Sequence, residues 1–125
     1  MKKVLLAVDD EKTILKLLEL YFANKCQVVC KTNGKEALGW LQSGNLPDII
    51  VADIKMPEID GIEFIQHVRT SGFFREIPLI TLSGNDSTSD KIKCLRAGAD
   101  DYVVKPFNPE ELDARIDNIF RRIKI

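Results

Sequence analysis

Histidine is almost missing from this sequence: His67 is the only one among 125 residues, beside three cysteines, Cys26, Cys30 and Cys94. A four-coordinate zinc site needs closely spaced Cys and His ligands, and neither a CxxC pair nor a neighbouring histidine supplies them. The odd cysteine count also argues against a disulfide framework, so the thiols are expected to be reduced and at least partly buried. A lone histidine without a Ser or Cys partner in a recognisable motif reads as a surface or boundary residue, and His67 is assigned no role. Long apolar runs are missing too; no stretch approaches the ~20 residues that span a bilayer, so no membrane association is expected. Met1-Lys2-Lys3, followed by a short apolar run and then Asp9-Asp10, lacks the form of a secretory leader, and the expected location is the cytoplasm. Basic charge is not in excess. With 18 Lys+Arg against 19 Asp+Glu and a formal net charge of -1, the chain lacks the positive field that dominates nucleic-acid affinity, and direct nucleic-acid binding by it is not expected.

What is present is ordinary for a globular protein: 45% hydrophobic and 30% charged residues, with no internal repeat, linker or low-complexity stretch, hence a single domain over residues 1–125. Its centre is the stretch Ile49-Ile50-Val51-Ala52-Asp53-Ile54-Lys55-Met56-Pro57. The apolar, β-branched run reads as a strand buried on both faces, as in a parallel sheet, with a lone carboxylate at its C-terminal end. Ligands and chemistry gather outside the carboxyl ends of such strands, which makes Asp53 a candidate nucleophile.

The rest of the chain alternates strand and helix. Residues 3–8 are expected as the first strand, and Asp9-Asp10-Glu11 as the opening of a helix whose stripe is Ile14, Leu17, Leu18, Tyr21 and Phe22. Taken alone, that acidic opening reads as a complement to the helix dipole. Residues 26–31 form a second strand, Asn33-Gly34 a turn, and Ala37, Leu38 and Leu41 the face of a helix that Ser43-Gly44-Asn45 ends. Beyond the central strand, residues 56–61 form a loop, and Ile62, Phe64, Ile65 and Val68 belong to a third helix. Residues 77–83 read as a fourth strand, 84–89 as a polar loop, and Ile92, Cys94, Leu95 and Ala97 as a fourth helix closed by Gly98. A fifth strand over 99–105 precedes a last helix with Asn108 as its cap, Pro109 in its first turn, and the stripe Leu112, Ile116, Ile119, Phe120 and Ile123. Short links between alternating elements give the βαβ pattern of a parallel α/β sheet.

Polar groups stand at the exit of four strands: Asp9-Asp10, Asp53, Ser83-Gly84 and Lys105-Pro106. Converging carboxylates repel unless a hard cation holds them, and Mg²⁺ takes carboxylate, carbonyl and phosphate oxygens in an octahedron. A hydroxyl and an ammonium beside them complete an anion site. Here the sequence resembles the receiver domain of two-component response regulators, through Asp9-Asp10, the run Asp53-Ile54-Lys55-Met56-Pro57-Glu58-Ile59-Asp60-Gly61, Ser83-Gly84, and Asp101-Tyr102-Val103-Val104-Lys105-Pro106-Phe107. The resemblance covers essentially the whole chain.

The resemblance implies a flavodoxin-like (βα)5 sandwich with sheet order 2-1-3-4-5. It assigns Asp53 as the acceptor of a phosphoryl group from a sensor histidine kinase or phosphotransfer protein, in a signalling domain that assists its own phosphorylation and dephosphorylation rather than a dedicated enzyme. Asp10, Asp9 acting through water, an oxygen of Asp53 and the backbone carbonyl of Lys55 would hold Mg²⁺, or Mn²⁺ in its place. Ser83, Lys105 and the amide of Gly84 would hold phosphoryl oxygens, and the Lys105-Pro106 peptide is expected to be cis. Ser83 and Tyr102 form the implied switch pair. Lys55 and Asn85 flank the route of an attacking water.

The strings Ala97-Gly98-Ala99-Asp100-Asp101-Tyr102 and Glu111-Leu112-Asp113-Ala114-Arg115-Ile116 look like receivers of winged-helix transcriptional regulators, which implies a homodimer through the fourth helix, fifth strand and fifth helix. A stand-alone phosphorelay or chemotaxis-type receiver is the alternative. An aspartyl-nucleophile, Mg²⁺-dependent phosphatase would need Asp-x-Asp after the first strand, where Glu11 and Lys12 stand instead. A flavin-binding protein would need a phosphate loop in the place of Asp9-Asp10-Glu11.

Overall fold

The computed structural model describes residues 2–56, 58–84 and 87–123. Ten elements alternate: β1 (Lys3–Val8), α1 (Lys12–Phe22), β2 (Cys26–Lys31), α2 (Gly34–Gln42), β3 (Ile49–Asp53), α3 (Gly61–Thr70), β4 (Leu79–Ser83), α4 (Thr88–Ala97), β5 (Asp101–Val104) and α5 (Pro109–Ile123). The strands form one sheet in the order β2-β1-β3-β4-β5, with every pairing parallel. The alternation is that expected from the sequence, and the strand order is the one the family resemblance implies.

Side chains alternate across a strand, so each central strand feeds two cores. Leu6, Ile50, Ala52 and Leu79 pack with Ala37, Leu41, Phe64, Ile65, Val68 and Cys94 from α2, α3 and α4. Leu5, Ile49, Val51, Ile80 and Leu82 pack with Leu15, Leu18, Phe22, Leu112 and Ile116 from α1 and α5. A strand buried on both faces favours apolar residues along its length, and β3 is apolar until Asp53 at its end.

Helix starts follow local chemistry. The side chains of Asn33, Asp60 and Ser87 accept the backbone N–H three residues on, at 2.8, 2.9 and 3.0 Å, satisfying donors that a helix leaves unpaired. Asn108 accepts the Glu110 N–H at 2.8 Å. α2 and α4 end near Gly44 and Gly98, whose φ values of 101° and 124° favour glycine.

Four local expectations are corrected. First, α1 begins at Lys12 rather than at Asp9: Asp9 Oδ1 accepts the Glu11 N–H at 2.9 Å, so the acidic triplet forms a turn ahead of the helix. Second, the buried face of α1 is Leu15, Leu18 and Phe22, while Leu17 and Tyr21 are exposed. The helix has apolar residues almost all round, and only docking on the sheet chooses between them. Third, Ile92 and Leu95 of α4 are exposed and Cys94 alone is buried there; likewise Ile123 of α5 lies outside the core. Fourth, β4 and β5 are shorter than 77–83 and 99–105, although Ile50 N–H to Pro78 O, Asp100 N–H to Leu79 O and Lys105 N–H to Ser83 O continue their hydrogen bonding. The three cysteines are free thiols, two buried and one half-buried, as expected. Among the described residues, no helix is long and apolar enough to cross a membrane.

Candidate functional site

Register assembles the site. Val8 lies opposite Ala52, so the residue after each, Asp9 and Asp53, emerge side by side at the carboxyl edge. Asp53 pairs with Leu82 and Ser83 with Val104, which brings Ser83 and Lys105 to the same edge. One cleft is lined by Asp10, Glu11, Asp53, Lys55, Ser83, Gly84 and Lys105. Within it, Asp9, Asp53 and Ser83 are buried, Lys105 is half-buried, and Asp10, Lys55 and Gly84 are exposed.

Charge is unbalanced there. Carboxylate oxygens of Asp9, Asp10 and Asp53 lie within 4.8 Å of one another. Lys105 Nζ sits 2.9 Å from Asp9 Oδ2, 2.9 Å from Glu11 Oε1 and 3.4 Å from Asp53 Oδ1. One ammonium therefore faces three acidic side chains, with Asp10 beside them. Burial pushes the Asp53 carboxyl up to about 6, the negative charge of Asp9 adds to the rise, and Lys105 opposes it. Burial raises Asp9 as well, against the Glu11 N–H and Lys105. For Lys105, burial acts downward, but its close pairing with Glu11, Asp9 and Asp53 more than offsets it and holds the ammonium protonated.

Whether a divalent cation fits can be tested on one atom. Asp9 Oδ2 is buried, and although the Lys105 charge is 2.9 Å away, no well-aligned hydrogen bond reaches it. An anionic oxygen left with a charge but no directed donor, beside two more carboxylates, matches the hard-oxygen donor set of Mg²⁺ or Mn²⁺.

Backbone packing fixes the loop that follows Asp53. The Gly61 N–H donates to Ile54 O at 2.6 Å, and a Cβ on Gly61 would lie 2.5 Å from Asp53 O and from Ile54 Cα. Only glycine permits this approach. The Lys105-Pro106 peptide is cis, as expected. Tyr102 is turned into the core at 9% exposure, with Lys91 Nζ 5.9 Å from its ring centroid. Asp101 and Glu111 both pair with Arg115 inside the chain. His67 is exposed on α3 and lies outside the cleft. Asn85 lies outside the described residues.

The structure thus brings together Asp9, Asp10, Asp53, Lys55, Ser83, Gly84 and Lys105. Sequence reasoning missed Glu11 as a partner of Lys105; its only trace was its place beside Asp9-Asp10. Gly61 was seen as the end of a loop rather than as the contact that seats the Asp53 backbone.

A doubly wound parallel sheet that gathers an acidic cluster, a hydroxyl and a lysine at its carboxyl edge, around an aspartate ending the central strand, has the architecture of a CheY-like receiver. The chain belongs to the response regulator receiver domain family, whose profile it matches over residues 5–117. It is 41% identical over 127 residues to the probable transcriptional regulator ycf27 of Guillardia theta, covering 97% of this chain and 46% of that protein. It is 38% identical over 126 residues to the alkaline phosphatase synthesis transcriptional regulatory protein PhoP of Bacillus subtilis, covering 100% and 51%. The structure superposes on the chemotaxis response regulator CheY4 of Vibrio cholerae with a TM-score of 0.89 at 30% identity, covering 95% of this chain and 99% of that one. The chain spans about half the length of the curated relatives it matches.

Proposed function

We propose that this receiver accepts a phosphoryl group onto Asp53 from a phosphohistidine of a sensor kinase or phosphotransfer protein, and that the face made by α4, β5 and α5 passes the change to an output. The observation that carries this is the placing of Asp53: a carboxylate 5% exposed, with a lysine ammonium 3.4 Å away and two further carboxylates beside it. In the transfer, an Asp53 carboxylate oxygen forms a bond to phosphorus as the bond from phosphorus to the imidazole nitrogen breaks. The electron pair returns to the imidazole. Catalysis of such a step is mainly positioning and neutralisation of the equatorial oxygens. Lys105, the Ser83 hydroxyl and the Gly84 amide are the groups that would hold those oxygens.

Asp10, Asp9 acting through water, one oxygen of Asp53 and the Lys55 carbonyl would hold Mg²⁺ or Mn²⁺. Bound there, the ion supplies positive charge against the incoming phosphoryl oxygens. Readout falls to Ser83 and Tyr102, on neighbouring strands β4 and β5, with Ser83 shifting toward the phosphoryl group and the tyrosine ring following.

The parent protein is proposed to be a transcriptional regulator. The relatives ycf27 and PhoP are named as such and are about twice as long as this chain. CheY4, matched over 99% of its chain, supports the stand-alone reading.

Intact mass after incubation with acetyl phosphate and Mg²⁺ tests the acceptor: one added phosphoryl group is expected, and none for Asp53→Ala. Light scattering with Mg²⁺, with and without beryllofluoride, tests the output. A beryllofluoride-dependent dimer that needs Asp53 supports the regulator reading, and a monomer that still binds beryllofluoride supports a stand-alone receiver.

A further inference from the structure

Lys105 is shared unequally in this site. Its ammonium lies 2.9 Å from both Asp9 Oδ2 and Glu11 Oε1 and 3.4 Å from Asp53 Oδ1, so it is drawn toward the Asp9 and Glu11 side. Glu11 precedes α1 at the N-cap position, yet its side chain makes no capping hydrogen bond. Its backbone is fixed instead, by its N–H to Asp9 Oδ1 at 2.9 Å and by its carbonyl, which accepts the Ile14 and Leu15 N–H groups at 3.0 and 3.3 Å. The pinned backbone aims the carboxylate across the cleft at Lys105. The carboxylate itself is 56% exposed, so water can take the place of Lys105 and release costs little.

We propose that Glu11 is a positioning residue that holds the Lys105 ammonium away from the phosphoryl position, so that Lys105 reaches a phosphoryl group on Asp53 only by leaving Glu11. This rests on the reading of Asp53 and Lys105 given above. Two consequences of opposite sign follow. Losing Glu11 frees Lys105 for the phosphoryl oxygens and strengthens their binding. It also removes a negative charge near Asp9 and Asp10 and leaves Lys105 closer to the carboxylates, which weakens binding of a divalent cation.

The test measures beryllofluoride affinity by fluorine NMR at saturating Mg²⁺, and Mg²⁺ affinity by calorimetry, in the wild type, Glu11→Gln and Glu11→Asp. Glu11→Gln should tighten beryllofluoride binding and weaken Mg²⁺ binding, each by roughly three- to fivefold, the scale of an exposed ion pair. Glu11→Asp keeps the charge but is one methylene short of Lys105. It should tighten beryllofluoride binding and weaken Mg²⁺ binding less than Glu11→Gln does, because only the charge is kept. Unchanged or weakened beryllofluoride binding in both variants overturns the role of Glu11 while the site reading stands. Failure of the wild type to bind beryllofluoride with Mg²⁺ overturns the site reading and this inference together.

Discussion

Asp53 carries a charge that its surroundings resist. An unperturbed aspartate titrates near 3.9, whereas burial and Asp9 push this one up to about 6. The folded protein therefore binds more protons than the unfolded chain between those values, and stability falls as pH rises through that window. The contribution is most favourable below about pH 4 and its loss is complete above about pH 6. In EDTA, Asp53→Asn should be more stable than the wild type by about 3 kcal/mol at pH 7, with the excess vanishing near pH 4. Urea unfolding across that range checks it, and parallel pH profiles for the two proteins would sink the argument. Gly61 acts on the same residue through the backbone. Because a Cβ there meets Asp53 O at 2.5 Å, Gly61→Ala should cost about 2 kcal/mol and slow acceptance of phosphoryl by Asp53. Gly39→Ala is the control: a Cβ there meets nothing within 4 Å, and alanine in a helix interior should gain about 0.5–1 kcal/mol.

Between elements, one side chain does what several surface charges do not. Arg69, near the end of α3, donates through Nε to Gly98 O at 2.9 Å and through one terminal nitrogen to Arg75 O at 3.1 Å and Ile77 O at 2.6 Å. Its other terminal nitrogen reaches Asp100 Oδ2 at 3.0 Å, an oxygen that also accepts the Leu79 N–H. Arg69 thus ties the end of α3 to the entry of β4 and the turn from α4 into β5, satisfying carbonyls that no helix or strand ladder covers. Arg69→Ala should cost about 2 kcal/mol, and Arg69→Lys should recover little because an ammonium cannot reproduce the planar fork. Arg115, paired with Asp101 and Glu111 but 39% exposed, should lose less than about 1 kcal/mol as alanine. Equal losses at the two arginines would refute the distinction.

At the scale of the molecule, the carboxyl edge and the α4-β5-α5 face are joined through β4 and β5, which bear Ser83 and Tyr102. Tyr102 faces the core, with Lys91 Nζ 5.9 Å from its ring centroid. Tyr102→Ala is expected to leave the rate of Asp53 phosphorylation unchanged and to weaken beryllofluoride-dependent association by at least severalfold. Mass spectrometry follows the first and sedimentation the second. Loss of phosphorylation with intact folding would instead place Tyr102 in the chemistry.

Strand and helix alternation was legible in the sequence because buried parallel strands and amphipathic helices differ in hydrophobic period, and because Asn33 and Asn108 mark helix starts; the caps Asp60 and Ser87 lay within stretches read as loops. Motifs at strand ends identified Asp9, Asp10, Asp53, Ser83 and Lys105 as one group, since a parallel sheet gathers its strand exits on a single edge. Which face of α1 is buried was not legible, because a helix apolar nearly all round is oriented only by the sheet it meets. The exposure of Ile92 and Leu95, the reach of Glu11 to Lys105 across 94 residues, and the contact between Gly61 and the Asp53 backbone are also tertiary decisions. Each depends on distances between segments far apart in the chain, or on a loop's return to its own strand, and periodicity and motif carry no information about either.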